Sequence, residues 1–196
     1  RLRESEKQAL RAAHQARTLA AEEFLFRVKD VAGQIAARTR VREHLEAHDR
    51  GETSREEFRA AVVPLLEDSL ARAEEVAGMA QLDQWGGLAV QIGAAIPQDC
   101  LRPAPPDARS PVVEGPVMVG GEPHLVVRVA VLDRQSGLVG TDVLLFRLTR
   151  LRRIVLDRTG LGDTGETLVG IPHHDHVDVF LPGLEGGMAT VPLTSS

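Results

Sequence analysis

The amino-acid sequence predicts an α+β fold in which long helices come first and an antiparallel sheet of five or six strands follows. Two observations point to it. Residues 4–47 contain no proline and one glycine, Gly33, while Ala, Arg, Glu and Leu dominate, so the stretch is composed of strong helix formers. Beyond residue 75 the apolar residues fall into short runs separated by turn-forming clusters, above all 125–132 and 138–146 around Asp133-Arg134-Gln135-Ser136-Gly137, which is the pattern of paired strands. Helices gathered ahead of a meander of strands segregate to one side of it. The predicted boundaries are a stalk and packing helix at 1–50, a second helix at 54–75 and a sheet over 76–196, all in one structural domain.

The helical run would reach roughly 65 Å if unbroken, at about 1.5 Å per residue. Phe24, Val28, Val31, Ile35, Arg38, Arg42 and Leu45 recur at spacings of four and three, so one stripe of the helix can serve as a packing seam. Before it, Leu10, Ala13, Ala16 and Ala20 form a thinner stripe, suited to a partner helix and giving the first twenty or so residues the look of a stalk. Gly51-Glu52-Thr53 breaks the run, and Ser54-Arg55-Glu56-Glu57 reads as a capping box that opens the second helix. Phe58, Val62, Leu65, Leu66, Ser69, Leu70 and Ala73 mark its buried face, and Pro64 removes one backbone hydrogen bond inside it.

Strands are predicted at 76–82 and 88–92, joined by Asp83-Gln84-Trp85-Gly86-Gly87, and more weakly at 112–119. Between them, residues 94–116 hold six prolines, hostile to helix and to a central strand, and so form a long surface loop of the kind that often covers a binding site. After the two strong strands, 148–158 is a short helix with Gly160 as its stop. Further strands follow at 167–171 and 176–181 around Pro172-His173-His174-Asp175, with an edge strand near Val191.

The totals exclude several functions. Lys and Arg number 23 against 28 Asp and Glu, a net charge of −5, and the basic residues are interleaved with acids, which argues against nucleic acid as a partner. Arg147, Arg150, Arg152, Arg153 and Arg158 cluster on the short helix and read as a solvated face. Cys100 is the only cysteine, so neither an intramolecular disulfide nor a cysteine metal site can form. No apolar run approaches the roughly 18–20 residues of a membrane span. No nucleophile–base constellation, phosphate loop or paired catalytic carboxylates stand out, so the domain is read as non-enzymatic, with no cofactor.

Four segments resemble one family in the same order. Ile35-Ala36-Ala37-Arg38-Thr39-Arg40-Val41-Arg42-Glu43-His44-Leu45 looks like the end of the first long helix in many membrane-bound sensor kinases and diguanylate cyclases. Leu82-Asp83 before a Gly turn, Val139-Gly140 inside a strand, and Gly162-Asp163-Thr164-Gly165-Glu166 stand where Cache sensor domains, the PAS-like ectodomains of bacterial receptors, have theirs. The resemblance spans about 24–181. It implies a periplasmic or extracellular domain between two membrane spans outside this chain, a dimer formed through the N-terminal helix, and a small ligand held on one side of the sheet. The signal would pass to a cytoplasmic histidine kinase or, next, a diguanylate cyclase. The amino-acid-sensing pattern of the family relies on Tyr, and this chain has none, which leaves small acids or other metabolites, or a module that binds no ligand and serves only to dimerise.

Arg128 heads the candidate ligand-binding residues. In strand 125–132, positions 125, 127, 129 and 131 share the face expected to meet the helices, whereas Val126, Arg128 and Ala130 share the other. A guanidinium among apolar neighbours is suited to holding a carboxylate bidentately. His124, Thr141 and Asp142 complete the set, and Asp142 is alternatively a strand partner for Arg128, depending on a register the sequence leaves open. Thr164 and Glu166 are read as turn-stabilising. His173, His174 and His176 have the residue types of a metal site but sit in one short turn, which favours a polar hairpin tip.

Overall fold

The structure, a computed structural model, describes residues 2–105, 107–161, 166–172, 175–180 and 188–193. The chain divides into two compact units, one made of Arg1–Phe26, Gly121–Pro123 and Leu148–Ser196, the other of Arg27–Gly120 and His124–Arg147.

The second unit carries the helix-on-sheet architecture. Its helices are the later part of α1 (Leu2–Ala36), α2 (Thr39–Asp49) and α3 (Arg55–Arg72). The strands β1 (Val76–Asp83), β2 (Leu88–Gly93), β3 (Val112–Val119), β4 (Glu122–Leu132) and β5 (Leu138–Arg147) form one sheet in the order β2-β1-β5-β4-β3. This is the α+β class expected, with β5 at the centre.

The single helix expected over 4–47 is instead two. Arg38 adopts an extended backbone, φ −71° and ψ 109°, between α1 and α2, although no Gly or Pro marks the place. Its guanidinium donates to Leu65 O at 3.1 Å and to Ser69 Oγ of α3. Tertiary hydrogen bonding overrides a local preference that is helical throughout. The seam is otherwise as read: Phe24, Val28, Ile35, Val41 and Leu45 are buried, joined by Ala32, while Val31 is half-buried. The capping box at Ser54 and Glu57 is present, and His48 of α2 stacks on Phe58 of α3 with ring centroids 5.0 Å apart.

Two hairpins share one device. In each, an Asp carboxylate accepts the amides two and four residues on: Asp83 from Trp85 and Gly87 at 2.9 and 2.7 Å, Asp133 from Gln135 and Gly137 at 2.7 Å each. The fourth loop residue is left-handed in both, Gly86 at φ +85° and Ser136 at φ +67°, and the side-chain bonds reinforce backbone ones that close each turn, Gly86 N to Asp83 O at 3.0 Å and Ser136 N to Asp133 O at 3.2 Å.

The first unit holds the early part of α1, α4 (Thr149–Leu156) and the strands β6 (Val169–Pro172), β7 (His176–Phe180) and β8 (Met188–Pro192). The sequence predicts one sheet for everything past 76; these three strands instead hydrogen-bond to one another as a separate sheet in the order β6-β7-β8. Periodicity identifies a strand without naming its partner, and short connections favour neighbours in sequence. The end of α4 also differs from expectation. The helix stops at Leu156, four residues before Gly160, and the buried Arg17 of α1 donates to Asp157 O at 3.1 and 2.6 Å and to Thr159 O at 2.8 Å. A cation holding the last carbonyls ends the helix here, while the left-handed Gly160, φ +78°, follows in the turn. Residues 162–165 of the glycine-rich segment, with Thr164, lie outside the described residues.

Gly140 shows how tightly α2 presses on β5: a Cβ there would sit 2.4 Å from Leu82 O and 2.6 Å from Leu45 Cδ2. Gly140→Ala is expected to cost about 2–4 kcal/mol by overpacking, read as a lowered denaturation midpoint at unchanged m-value. Arg17→Ala leaves two carbonyls without their donor and is expected to cost about 1–3 kcal/mol, with amide exchange of 152–157 accelerating.

Candidate functional site

Strand register decides which candidate residues meet. Arg128 lies opposite Val143, Ala130 opposite Thr141, and Asp142 is flanked by Val129 and Gln81. Cross-strand partners share a face, so Arg128, Thr141 and His124 point to one side of the sheet and Asp142 to the other. The Arg128–Asp142 pairing weighed from sequence therefore does not form, and the four candidates belong to two separate places.

The first place lies under the proline-rich segment. Ile96, Cys100 and Leu101 from that segment pack with Ala80, Leu82, Val126, Val143 and Leu145 of the sheet. Ala104 is buried, and its amide donates to Thr141 Oγ1 at 3.0 Å. Burial first, then the nearby Asp99, pushes the Cys100 thiol up, which keeps it protonated and inert. Arg128 is 7% exposed; it donates to Pro103 O at 2.6 Å and pairs with Glu114 of β3. Its Nε is buried without an acceptor among the described residues. Glu114 also holds Arg102 at 3.3 Å. The segment read as the cover of an open pocket is thus seated on the sheet, with a carboxylate of the chain itself already on the guanidinium.

The second place lies on the helix side. Asp142 is fully buried and accepts from Gln81 Nε2 at 3.2 Å, while Gln81 Oε1 is buried with no partner among the described residues. Burial pushes the Asp142 carboxyl up to about 7, with the Gln81 hydrogen bond and the Arg38 charge pulling the other way. Sequence reasoning missed Gln81 and Arg38 as its partners; their signal is visible only once β1 is known to pair with β5.

His124 is buried opposite Arg147. His176 Nδ1 lies 2.7 Å from Asp175 Oδ1, and His173 and His174 fall outside the described residues. No group of three or more metal-ligating side chains converges among the described residues. Open depressions of about 370 Å³ lie elsewhere, one in the second unit between Arg42, Glu43, Glu46 and the 133–135 turn, another in the first unit between Ala9, Ala13, Ala16, Arg17 and Ile154 to Gly160. The alanine stripe therefore meets part of its own chain.

No protein-family model matches the sequence, and no curated protein matches it. Among solved structures the chain is similar to the sensor domain of the V. cholerae histidine kinase DctB, at 10% identity and a TM-score of 0.52, over 93% of this chain and 90% of that one. The likeness is one of fold: the chain has an α+β, PAS-like architecture.

Arg128→Ala would leave Pro103 O without its donor and the half-buried Glu114 carboxylate with Arg102 alone. We expect a loss of about 1–3 kcal/mol in chemical denaturation, together with faster exchange of the Ala104 amide, whereas Arg102→Ala should change neither.

Proposed function

We propose that this chain is the extracytoplasmic sensor domain of a membrane-bound receptor, a sensor histidine kinase before a diguanylate cyclase, and that it binds a small acid beneath the proline-rich segment. The observation behind it is a buried guanidinium whose Nε–H has no acceptor among the described residues, under a segment fixed to the sheet by two hydrogen bonds and the Arg102–Glu114 ion pair. A ligand carboxylate would take both the Nε–H and the donor now given to Glu114, a bidentate grip that Arg favours. The fold, shared along nearly the whole chain with a histidine kinase sensor domain, is why the kinase comes before the cyclase. Lifting the segment would alter the sheet face it covers, and only a ligand with unequal affinity for the two arrangements could shift them. The domain itself would perform no chemistry, and two copies would pair through the N-terminal helix.

A second reading is a ligand-free dimerisation module, favoured by the apolar side chains Ile96, Cys100 and Leu101 that already fill the same face. Thermal denaturation against a panel of mono- and dicarboxylates separates the two. For a sensor, at least one acid raises the melting temperature of the wild type and of Glu114→Gln, and fails with Arg128→Ala. A shift that survives Arg128→Ala removes the arginine from the site. No shift by any acid, with a dimer in sedimentation that residues 1–26 are needed to form, supports the module.

A further inference from the structure

The helix side of the sheet holds a polar group that the ligand reading does not use. Asp142 sits at the middle of the central strand, fully buried, with Gln81 directly across on β1 and Val129 across on β4. One amide N–H of Gln81 reaches Asp142 Oδ1, but Gln81 Oε1 has no donor among the described residues. An acceptor left empty inside the fold is costly, and the group beside it can fill the vacancy if it carries a hydrogen. A protonated carboxyl facing a primary amide makes two hydrogen bonds, N–H to one oxygen and O–H to the amide oxygen. Turning the carboxamide over would set its oxygen against the carboxylate, which again calls for a hydrogen between them.

We propose that Asp142 and Gln81 form a binding site for a single proton, and that releasing this proton draws the Arg38 guanidinium off α3 toward the sheet, loosening the junction of α1 and α2. Arg38 is the one charged group among the described residues that acts on Asp142. Of the elements around the carboxyl, β1 offers the neutral Gln81, β4 offers Val129, and α3 offers Ser69 and a carbonyl that now hold Arg38. The fourth, α2, meets β5 at Gly140 through Leu45 and carries Arg42, paired with Glu46, and Asp49, whose carboxyl burial and then Asp83 push up. Arg38 is also where the long helix breaks. With Asp142 neutral, nothing competes with α3 for the guanidinium. With Asp142 ionised, an uncompensated buried anion does.

The direction with pH follows from burial. The folded carboxyl titrates higher than its ordinary value of 3.8, at about 7, so between those limits the folded state binds the proton that the unfolded chain has released. Stability therefore falls as pH rises through this window and levels off above it.

The test measures Asp142 in the intact chain by 13C NMR of its carboxyl, alongside unfolding of wild type and Asp142→Asn, whose amide mimics the protonated acid. The ratio of the two unfolding constants should rise about tenfold per pH unit in the middle of the window and flatten above it. Amide exchange of 36–42, compared between wild type and Asp142→Asn at the same pH, should match at pH 5.5 and be faster in the wild type at pH 8.5, conditions about 1.5 units either side of the expected midpoint. A carboxyl ionised throughout, or one that keeps its proton at the upper pH, overturns the site. Titration near neutrality with matched exchange at both pH values overturns the coupling to the helices. The NMR titration needs no variant, so a failure of Asp142→Asn to fold leaves the proton site open to refutation.

Discussion

A sheet covered on both faces has no water to offer its polar side chains, and this constraint governs the molecule. Residues 139–146 of β5 are all buried. Any charge or amide on it or beside it must therefore find its complement within the protein, because solvent cannot supply one. On one face the complement for Arg128 comes from Pro103 of the segment that crosses over it and from Glu114 of the adjacent β3. On the other, the complement for Asp142 is a neutral amide with a charge farther off. The proline-rich segment and the broken helix both bear on polar groups of the sheet, each supplying what one buried side chain lacks.

Much of this was legible because it is written locally. The two hairpins follow from Asp-x-x-x-Gly loops, in which the carboxylate adds its own hydrogen bonds to those of the backbone, and the second helix follows from Ser54 and Glu57. The division of β4 into a helix-facing side and an Arg128 side needs only the alternation of a strand. What could not be read is what depends on partners. A register one residue different would have put Asp142 beside Arg128, since a slip of one exchanges the faces. The helix break at Arg38 has no Gly or Pro to announce it, and nothing in the spacing around Arg17 marks it as the donor to Asp157 O and Thr159 O. The separate three-stranded sheet was hidden for the same reason, its strands being visible and its pairing not.

The two buried sites differ in how they resolve a misfit. Around the buried Arg128 guanidinium the fold brings a carboxylate and a carbonyl. Asp142 can shed its charge, and a site that lacks a cation in contact is tolerable for a carboxyl but would not be for a guanidinium. That asymmetry explains why the Arg128 side recruits a whole segment, while the Asp142 side manages with a glutamine and leaves Arg38 to α3.

A sensor whose site is already filled by its own side chains faces an energetic handicap. An incoming acid must displace Glu114 and loosen apolar contacts made by Ile96 and Leu101, so its apparent affinity is reduced by the fraction of molecules in which the segment is free. If that fraction were about one in a hundred, roughly 2.7 kcal/mol of intrinsic binding energy would go into opening the site. The same handicap makes such a site informative to a receptor. A ligand that enters an open, preformed cavity changes little, whereas one that must reach Arg128 beneath Pro103 and Ala104 cannot bind without moving the segment on which they lie. Occupancy and conformation are then the same event, which is the requirement for a domain that has to report binding to something beyond itself.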